Sequence, residues 1–402
     1  MNAIQLLKSP LRSPAPIEKP AKLPPGRVRV MAFVLDGQSE AALNTCFSNL
    51  SVSSVTKRGG ITKAVKYLAV ERSPENIIVD ISGAEMPASQ VHDLAELCEP
   101  GVTVIAIGER NDIGLYRDLK QAGVSEYIVK PVTAQLLAKV LSSTHSAAEG
   151  SPINRKLGKV VAAVGARGGV GTTTLAINLA WYLANRQNRR VLLLDLDLQT
   201  GDCALALNLE PTPGLREALT NPVRIDSIFL ERTVAMHSER LFVLSAEEPL
   251  HAGTEFTAEA VENLVGVLCT QFHYVIIDVP RIPAAPFRRA LDIADIRVIV
   301  ADQTLRSVRD TVRLRNALGD SEYARRHLLV VNRIGEGGRL AMTLDEMAKV
   351  ELRPEFVISF QPKRFTSPGL AHNTAFTKAV AALAAEISGR TPERNRWWRF
   401  GR

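Results

Sequence analysis

At 402 residues the chain exceeds a typical domain of about 150 residues, so two or three domains are expected. Apolar residues make up 46% and charged residues 23%, which excludes the disordered and collagen-like classes. The 49 Lys+Arg against 42 Asp+Glu leave a net charge of +7, enough to allow an acidic partner but far from histone-like.

Cys46, Cys98, Cys203 and Cys269 lie 52, 105 and 66 positions apart. That spacing excludes a Cys-x-x-Cys ribbon and a disulfide framework and predicts a reducing, cytoplasmic compartment. No apolar run reaches the roughly 18 to 20 residues of a spanning helix, and prolines interrupt the start where a signal peptide needs an unbroken apolar stretch.

In chain order, residues 1–27 hold six of the 22 prolines and five basic residues against one acidic, and should form an extended basic arm. From Val28, short apolar runs alternate with helical patterns, the signature of βα units around a parallel sheet. Strands are expected at 28–36, 52–56, 76–82, 102–108 and 126–130, with helices near 39–50, 61–71, 89–98, 110–122 and 132–143. This first domain is bounded at 28–145, and the small, polar residues 146–157 read as a linker. A second alternation fills 158–388, with strands expected at 159–165, 190–197, 241–246, 273–280, 296–302, 328–335 and 356–360. Their continuous β-branched runs suit strands buried on both faces of a doubly wound sheet. Residues 389–402 form a basic, aromatic tail.

The most informative stretch is KVVAAVGARGGVGTTTLAINLAWYLA from Lys159. A buried strand leads into a turn carrying Gly165, Gly168, Gly169 and Gly171, and an amphipathic helix follows from Thr173. Glycines let backbone N–H groups face inward, and the helix N-terminus adds about half a positive charge, so the turn suits phosphate oxygens. A strict phosphate loop reads G-x-x-x-x-G-K-[ST]; here Ala166 replaces the first glycine and Thr172 the lysine, while Thr173 keeps the hydroxyl that ligates magnesium. Asp195 and Asp197 end the strand in VLLLDLD, and Asp278 ends the one in YVIIDVP. Carboxylates at parallel strand tips behind such a loop can hold magnesium or orient an attacking water.

These residues resemble the deviant Walker A ATPases of the ParA/MinD family over about 158–388. The resemblance implies ATP and Mg2+ as cofactors, bound by Arg167, Gly168, Gly169, Val170, Gly171, Thr172, Thr173 and Thr174, with Asn332, Arg333 and Pro362 on the nucleotide's far side. It places Thr173, Asp195 and Asp278 at magnesium, partly through water, and gives Asp197 the orientation of water. It also implies a nucleotide-sandwich homodimer in which Arg167, standing where the family has its signature lysine, reaches the partner's phosphates. Loss of the lysine at Thr172 removes a cation from the transferring phosphate and predicts slow or absent hydrolysis with binding retained.

The first domain resembles a response-regulator receiver, a flavodoxin-like fold, with Asp80 at the acceptor position and Lys130-Pro131 after the fifth strand. Only Asp36 supplies the acidic pair expected after strand one, and Gly108 stands where a hydroxyl residue belongs, so a pseudo-receiver is expected. The two halves together resemble the TadZ/CpaE pilus assembly proteins, as do LDLQTGDCALALNL, ADQTLRSVRDTVRL and SFQPKRF. That resemblance implies partners in a tight-adherence (Flp-type) pilus secretion machinery and polar localisation.

The tail SGRTPERNRWWRFGR carries five arginines, three aromatic residues and one acid, a composition compatible with peripheral contact to an anionic membrane. Arm and tail together hold more positive charge than the whole chain's net +7, which leaves a near-neutral body. That body disfavours nucleic acid as a partner, although a DNA-partition ATPase is the alternative function. An iron–sulfur relative is a third class, but Cys203 has no partner cysteine nearby. Seven scattered histidines give no catalytic pattern.

Overall fold

The computed structural model describes residues 29–50, 52–150, 157–221, 225, 227–251, 256–319, 326–336, 341–360 and 374–389. The basic arm, residues 151–156 of the linker, Pro362 and all of the tail beyond Gly389 lie outside the described residues. The chain divides into two compact units that meet in sequence at residues 151 and 152.

The first unit is built on β1 (Val30–Val34), β2 (Ser54–Arg58), β3 (Asn76–Asp80), β4 (Thr103–Gly108) and β5 (Glu126–Val129), all parallel in the order β2-β1-β3-β4-β5. Every residue of β1 and β3 is buried, as expected of central strands covered on both faces. Helices Gly37–Leu50, Gly60–Leu68, Pro87–Leu97, Ile113–Gln121 and Ala134–Gly150 alternate with the strands. This is the flavodoxin-like doubly wound order, whose strand sequence reverses between β1 and β3. Asp36, just beyond β1, and Asp80, the last residue of β3, therefore face each other across the switch point.

The last helix runs through Gly150, beyond the 145 boundary and into the expected linker. Residues 142–150 read SSTHSAAEG; alanine and glutamate support a helix without contributing the apolar stripe that periodicity detects.

The second unit carries β6 (Lys159–Gly165), β7 (Val191–Asp195), β8 (Ala235–Met236), β9 (Leu241–Leu244), β10 (Tyr274–Val279), β11 (Ile296–Ala301), β12 (Arg326–Ile334) and β13 (Phe356–Ser359). Their order is β13-β12-β11-β6-β10-β7-β9-β8, parallel throughout except for the β8–β9 pair. The two-residue β8 is an edge strand too short for any alternation pattern to reveal. Chain direction places β10 between β6 and β7, in register with both, so that Asp278 pairs with Asp195 on one side and with Ala163 on the other.

Separate apolar layers cover the two faces of the sheet. In one of them, helix Thr172–Asn185 buries Leu175, Leu179 and Leu183 and packs against helix Ala375–Ser388. Between Val331 and Ile334 the pairing of β12 with β13 slips, and within that irregularity Arg333 adopts a left-handed φ of 59°.

Ile276, at the middle of β10, is fully buried. Ile276→Ala should cost about 2–5 kcal/mol of unfolding free energy through lost transfer energy and the cavity left behind. Urea denaturation of the full chain, followed by circular dichroism, checks this.

Candidate functional site

Beyond β6 the chain makes a tight turn that only glycine could follow at several points. Gly169 and Gly171 adopt left-handed φ values of 78° and 92°. A Cβ at Gly165 would lie 2.7 Å from Thr172 Oγ1 and 2.9 Å from the Arg167 carbonyl oxygen, and one at Gly171 would lie 2.6 Å from Asn332 Nδ2. The turn is thus closed against its own first helical residue. Asn332 pins it from β12 by donating from Nδ2 to the Val170 carbonyl at 2.8 Å.

The turn walls a cavity of about 400 Å³ that opens above the carboxyl ends of β6 and β10. Among the residues expected at the site, Arg167, Gly168, Gly169, Gly171, Thr172, Thr173, Thr174, Asp197, Asp278 and Arg333 all line it. Val170 is buried beneath the loop, Asn332 braces it, and Asp195 lies fully buried behind Asp278. A second cavity of about 410 Å³, lined by Arg315, His327, Glu351, Arg353 and Glu355 among others, shares no residue with the first and has no glycine turn.

The carboxylates differ in their freedom. Asp197 is committed to its own turn, accepting from Thr200 N at 2.9 Å and from Thr200 Oγ1 at 2.6 Å. Asp195 accepts from the Asp197 and Cys203 amides at 3.1 and 3.2 Å. A Cβ on Gly201 would strike the Asp195 carboxylate, so the turn after β7 closes directly over that group. Burial pushes the Asp195 carboxyl up to about 6 and that of Asp278 up to about 7, opposed in Asp278 by a hydrogen bond with Thr173. Two such groups side by side strongly favour a cation.

Asp195, Asp278 and Cys203 bring ligand atoms within 4.8 Å of one another, all three buried. The sequence offered Cys203 only as an iron–sulfur remnant. In the fold its thiol lies 3.8 Å from Asp278 Oδ2, and burial raises its pKa well above the ordinary value, so it sits there as a neutral thiol. The donors best suited to Mg2+ are therefore oxygens, from Thr173, Asp278 and, through water, Asp195. A glycine cradle with inward amides, two unneutralised carboxyls and an adjacent hydroxyl fits a magnesium-bound polyphosphate.

Two cations have fixed partners. Arg167 donates from Nη2 to Asp302, a carboxylate only 5% exposed, and from Nη1 to the Gly168 carbonyl at 2.9 Å. Its own chain thus holds the group expected to reach a partner's phosphates. Asp302, which follows β11, depends on this pairing together with Thr304 Oγ1 at 2.7 Å, and these contacts hold its pKa below the ordinary value despite burial. Arg333 pairs with Glu336 at 3.2 Å. Sequence reading missed Asp302, Gly201, Thr200 and Arg281 as site residues; Thr200 and Gly201 lie within the resembling stretch LDLQTGDCALALNL and Asp302 within ADQTLRSVRDTVRL, whereas Arg281 carried no signal.

Residues 158–322 match the model of a family described as an AAA domain. An uncharacterized ATP-binding protein of Methanocaldococcus jannaschii is 28% identical over 57% of this chain and 88% of its own length. The septum site-determining protein MinD of Bacillus subtilis is 28% identical over 44% of this chain and 66% of its own. Among solved structures, a ParA family ATPase from Chlorobium tepidum aligns with 58% of this chain and 99% of its own at 22% identity, with a TM-score of 0.52. The second unit thus matches an AAA-domain model over residues 158–322 and shares the fold of a ParA family ATPase. A pilus assembly protein CpaE from Caulobacter crescentus is 28% identical over 29% of this chain and 93% of its own, with a TM-score of 0.28.

In the first unit the switch point is closed by an internal cation. Lys130 Nζ donates to Asp36 Oδ2 at 2.6 Å and to Asp80 Oδ2 at 2.8 Å. Asp80 is fully buried, and its oxygens also accept from the Leu35 and Ser82 amides at 3.1 and 2.9 Å. A Cβ at Gly108 would meet Tyr127 Oη at 2.5 Å, so Tyr127 fills the space of a hydroxyl residue there.

The Lys130 ammonium and the Ser39 amide hold the Asp36 carboxyl down at about 2, from an ordinary 3.8. A depressed folded-state pKa stabilises above the unfolded value, and that contribution disappears as pH falls toward the folded value. Stability of the first unit should therefore drop between about pH 4 and pH 2. Asp36→Asn should flatten part of that drop in urea titrations at stepped pH, modestly because the Asp36 side chain is 41% exposed.

Proposed function

We propose that this protein is a nucleotide-gated assembly factor of a tight-adherence (Flp-type) pilus secretion system, which binds Mg-ATP in the second unit with little or no turnover. The observation that carries the nucleotide part is the glycine cradle opening onto Thr173 and Asp278 with a threonine, Thr172, in the lysine position. The ATP-binding description of the archaeal relative supports it. The pilus part rests on the combination of the two domains and on the sequence stretches that resemble TadZ/CpaE proteins.

In this reading the loop amides and the start of helix Thr172–Asn185 hold the phosphates, and Thr173 with Asp278 holds magnesium, which neutralises phosphate charge when bound. Asn332 keeps the loop in its phosphate-ready shape through Val170. Hydrolysis lacks two contributors. Thr172 brings no positive charge to the transferring phosphate, and removing one such stabiliser typically costs about 100- to 1,000-fold in rate. Asp197, spent on the Thr200 turn, is poorly free to orient water.

A homodimer fits the reading, with a changed role for Arg167. Its release toward a partner would strand the Asp302 carboxylate, and orphaning a buried ion-pair partner costs on the order of 3–5 kcal/mol. Arg167 therefore acts first as a loop brace. The C-terminal tail remains the candidate for peripheral membrane contact; among the described residues no helix is long and apolar enough to cross a membrane.

A second reading, nonspecific DNA binding, draws support from Arg306, Arg309 and Arg313, each more than 60% exposed on helix Leu305–Leu318. Binding to duplex DNA that falls steeply with salt would favour it.

Sedimentation of the full chain with Mg-ATP, Mg-ADP and no nucleotide should show dimer only with ATP, alongside barely detectable phosphate release. Equal monomer fractions in all three conditions would overturn the gate. Thr172→Lys should raise phosphate release if Asp197 can still leave its turn; an unchanged rate would assign the defect to Asp197.

A further inference from the structure

We infer that Arg281 is a phosphate-binding residue of the nucleotide site and supplies the positive charge that the loop lacks at Thr172, an inference that rests on the nucleotide-binding reading above. Arg281 follows Pro280 three residues after Asp278 and lines the same cavity as the glycine turn. Its side chain is 41% exposed, and its Nη2 lies 3.1 Å from Asp310 Oδ2.

The other two arginines on the cavity are less available. Arg167 balances a carboxylate that would otherwise be buried alone, and Arg333 has Glu336 to itself. Arg281 differs because its counterion is oversupplied. Asp310, only 2% exposed, is also approached by Arg309 at 2.8 Å, Arg313 at 3.9 Å and Arg306 at 4.0 Å. If Arg281 leaves Asp310, three guanidinium groups remain around that carboxylate. Few charges in the site can turn toward a ligand at so small a cost.

Demand matches supply. The cavity is lined by Asp197, Asp202 and Asp278, next to the strand-end Asp195, and by no lysine among the described residues. A triphosphate adds several negative charges that one Mg2+ and the loop amides only partly offset. A guanidinium offers two parallel donors to phosphate oxygens, so an arginine entering from the strand-end side can serve as a fork where a lysine inside the loop would serve as a point charge. The ligand chemistry is that of a polyphosphate; the nucleoside contributes nothing to this contact.

Calorimetric titration of the full-length protein with Mg-ATP and with AMP tests the inference. Arg281→Ala should weaken Mg-ATP binding roughly tenfold to a hundredfold, as expected for a lost charge-assisted bidentate contact, and leave AMP binding unchanged. Arg288→Ala, a charge-matched change at an arginine paired with Asp292, should leave both unchanged. Adding Thr172→Lys to Arg281→Ala should restore affinity for Mg-ATP. Wild-type affinity in Arg281→Ala, or a weakened variant that Thr172→Lys does not rescue, overturns the inference while the nucleotide-binding reading stands. No heat from wild-type protein with Mg-ATP would overturn that reading itself, and the role of Arg281 with it.

Discussion

Parallel strands that reverse their order leave a crevice at their carboxyl ends, and in this chain both sheets fill that crevice with carboxylates. In the second unit, insertion of β10 between β6 and β7 sets Asp278 beside Asp195 at the same height, with Asp197 on the adjoining turn. Like charges held this closely in a nearly dry setting are unfavourable unless something positive joins them. The shape of the glycine turn, the placement of Thr173 and the arrangement of arginines all bear on that electrostatic demand. It is the electrostatic basis for the proposed binding of a cation and its polyanion in the second unit.

The first unit meets the same demand with a side chain. Lys130 reaches from the end of β5 to bond Asp36 and Asp80 together, and backbone amides take up what is left of Asp80. One crevice is thus neutralised by an ion pair within the chain, and in the proposed reading the other is neutralised by a ligand. A phosphoryl donor would have to displace a half-buried lysine and gain a metal from a site with one carboxylate too few, while Tyr127 holds the space beside Gly108. This geometry favours a docking module over a phosphorylated switch. In the proposed reading, the ligand-dependent state of the protein therefore originates in the second unit.

Much of this was legible in the sequence for a physical reason. Fully buried parallel strands are near-continuous β-branched runs, so KVVAAVG matches β6 over Lys159–Gly165. The glycine turn and the aspartates at strand tips were equally readable because backbone conformation and chain direction dictate them locally. Other features were hidden because they depend on neighbours distant in sequence. Arg167 and Asp302 are separated by 135 positions, and no local pattern indicates that they pair. Cys203 reaches Asp278 across 75 positions. The helix through Gly150 escaped detection because alanine supports helix without an amphipathic signature.

A gate that does not hydrolyse its ligand differs from a cycling ATPase in how it resets. Hydrolysis drives a cycle one way; without it, occupancy follows free nucleotide concentration, and the state can shift only by as much as the two conformations differ in affinity. The Arg167–Asp302 pair opposes any conformation that needs Arg167 elsewhere, so a closed dimer that leaves this pair intact is favoured over one that breaks it. Contacts made by groups that are cheap to move then have the greatest influence on the switch. Arg281 is such a group, since Asp310 retains other arginines when it leaves, and its engagement would report directly that a triphosphate is in place. In the proposed reading, a loop with a threonine in the lysine position remains a sensor of nucleotide while giving up most of its capacity as a catalyst.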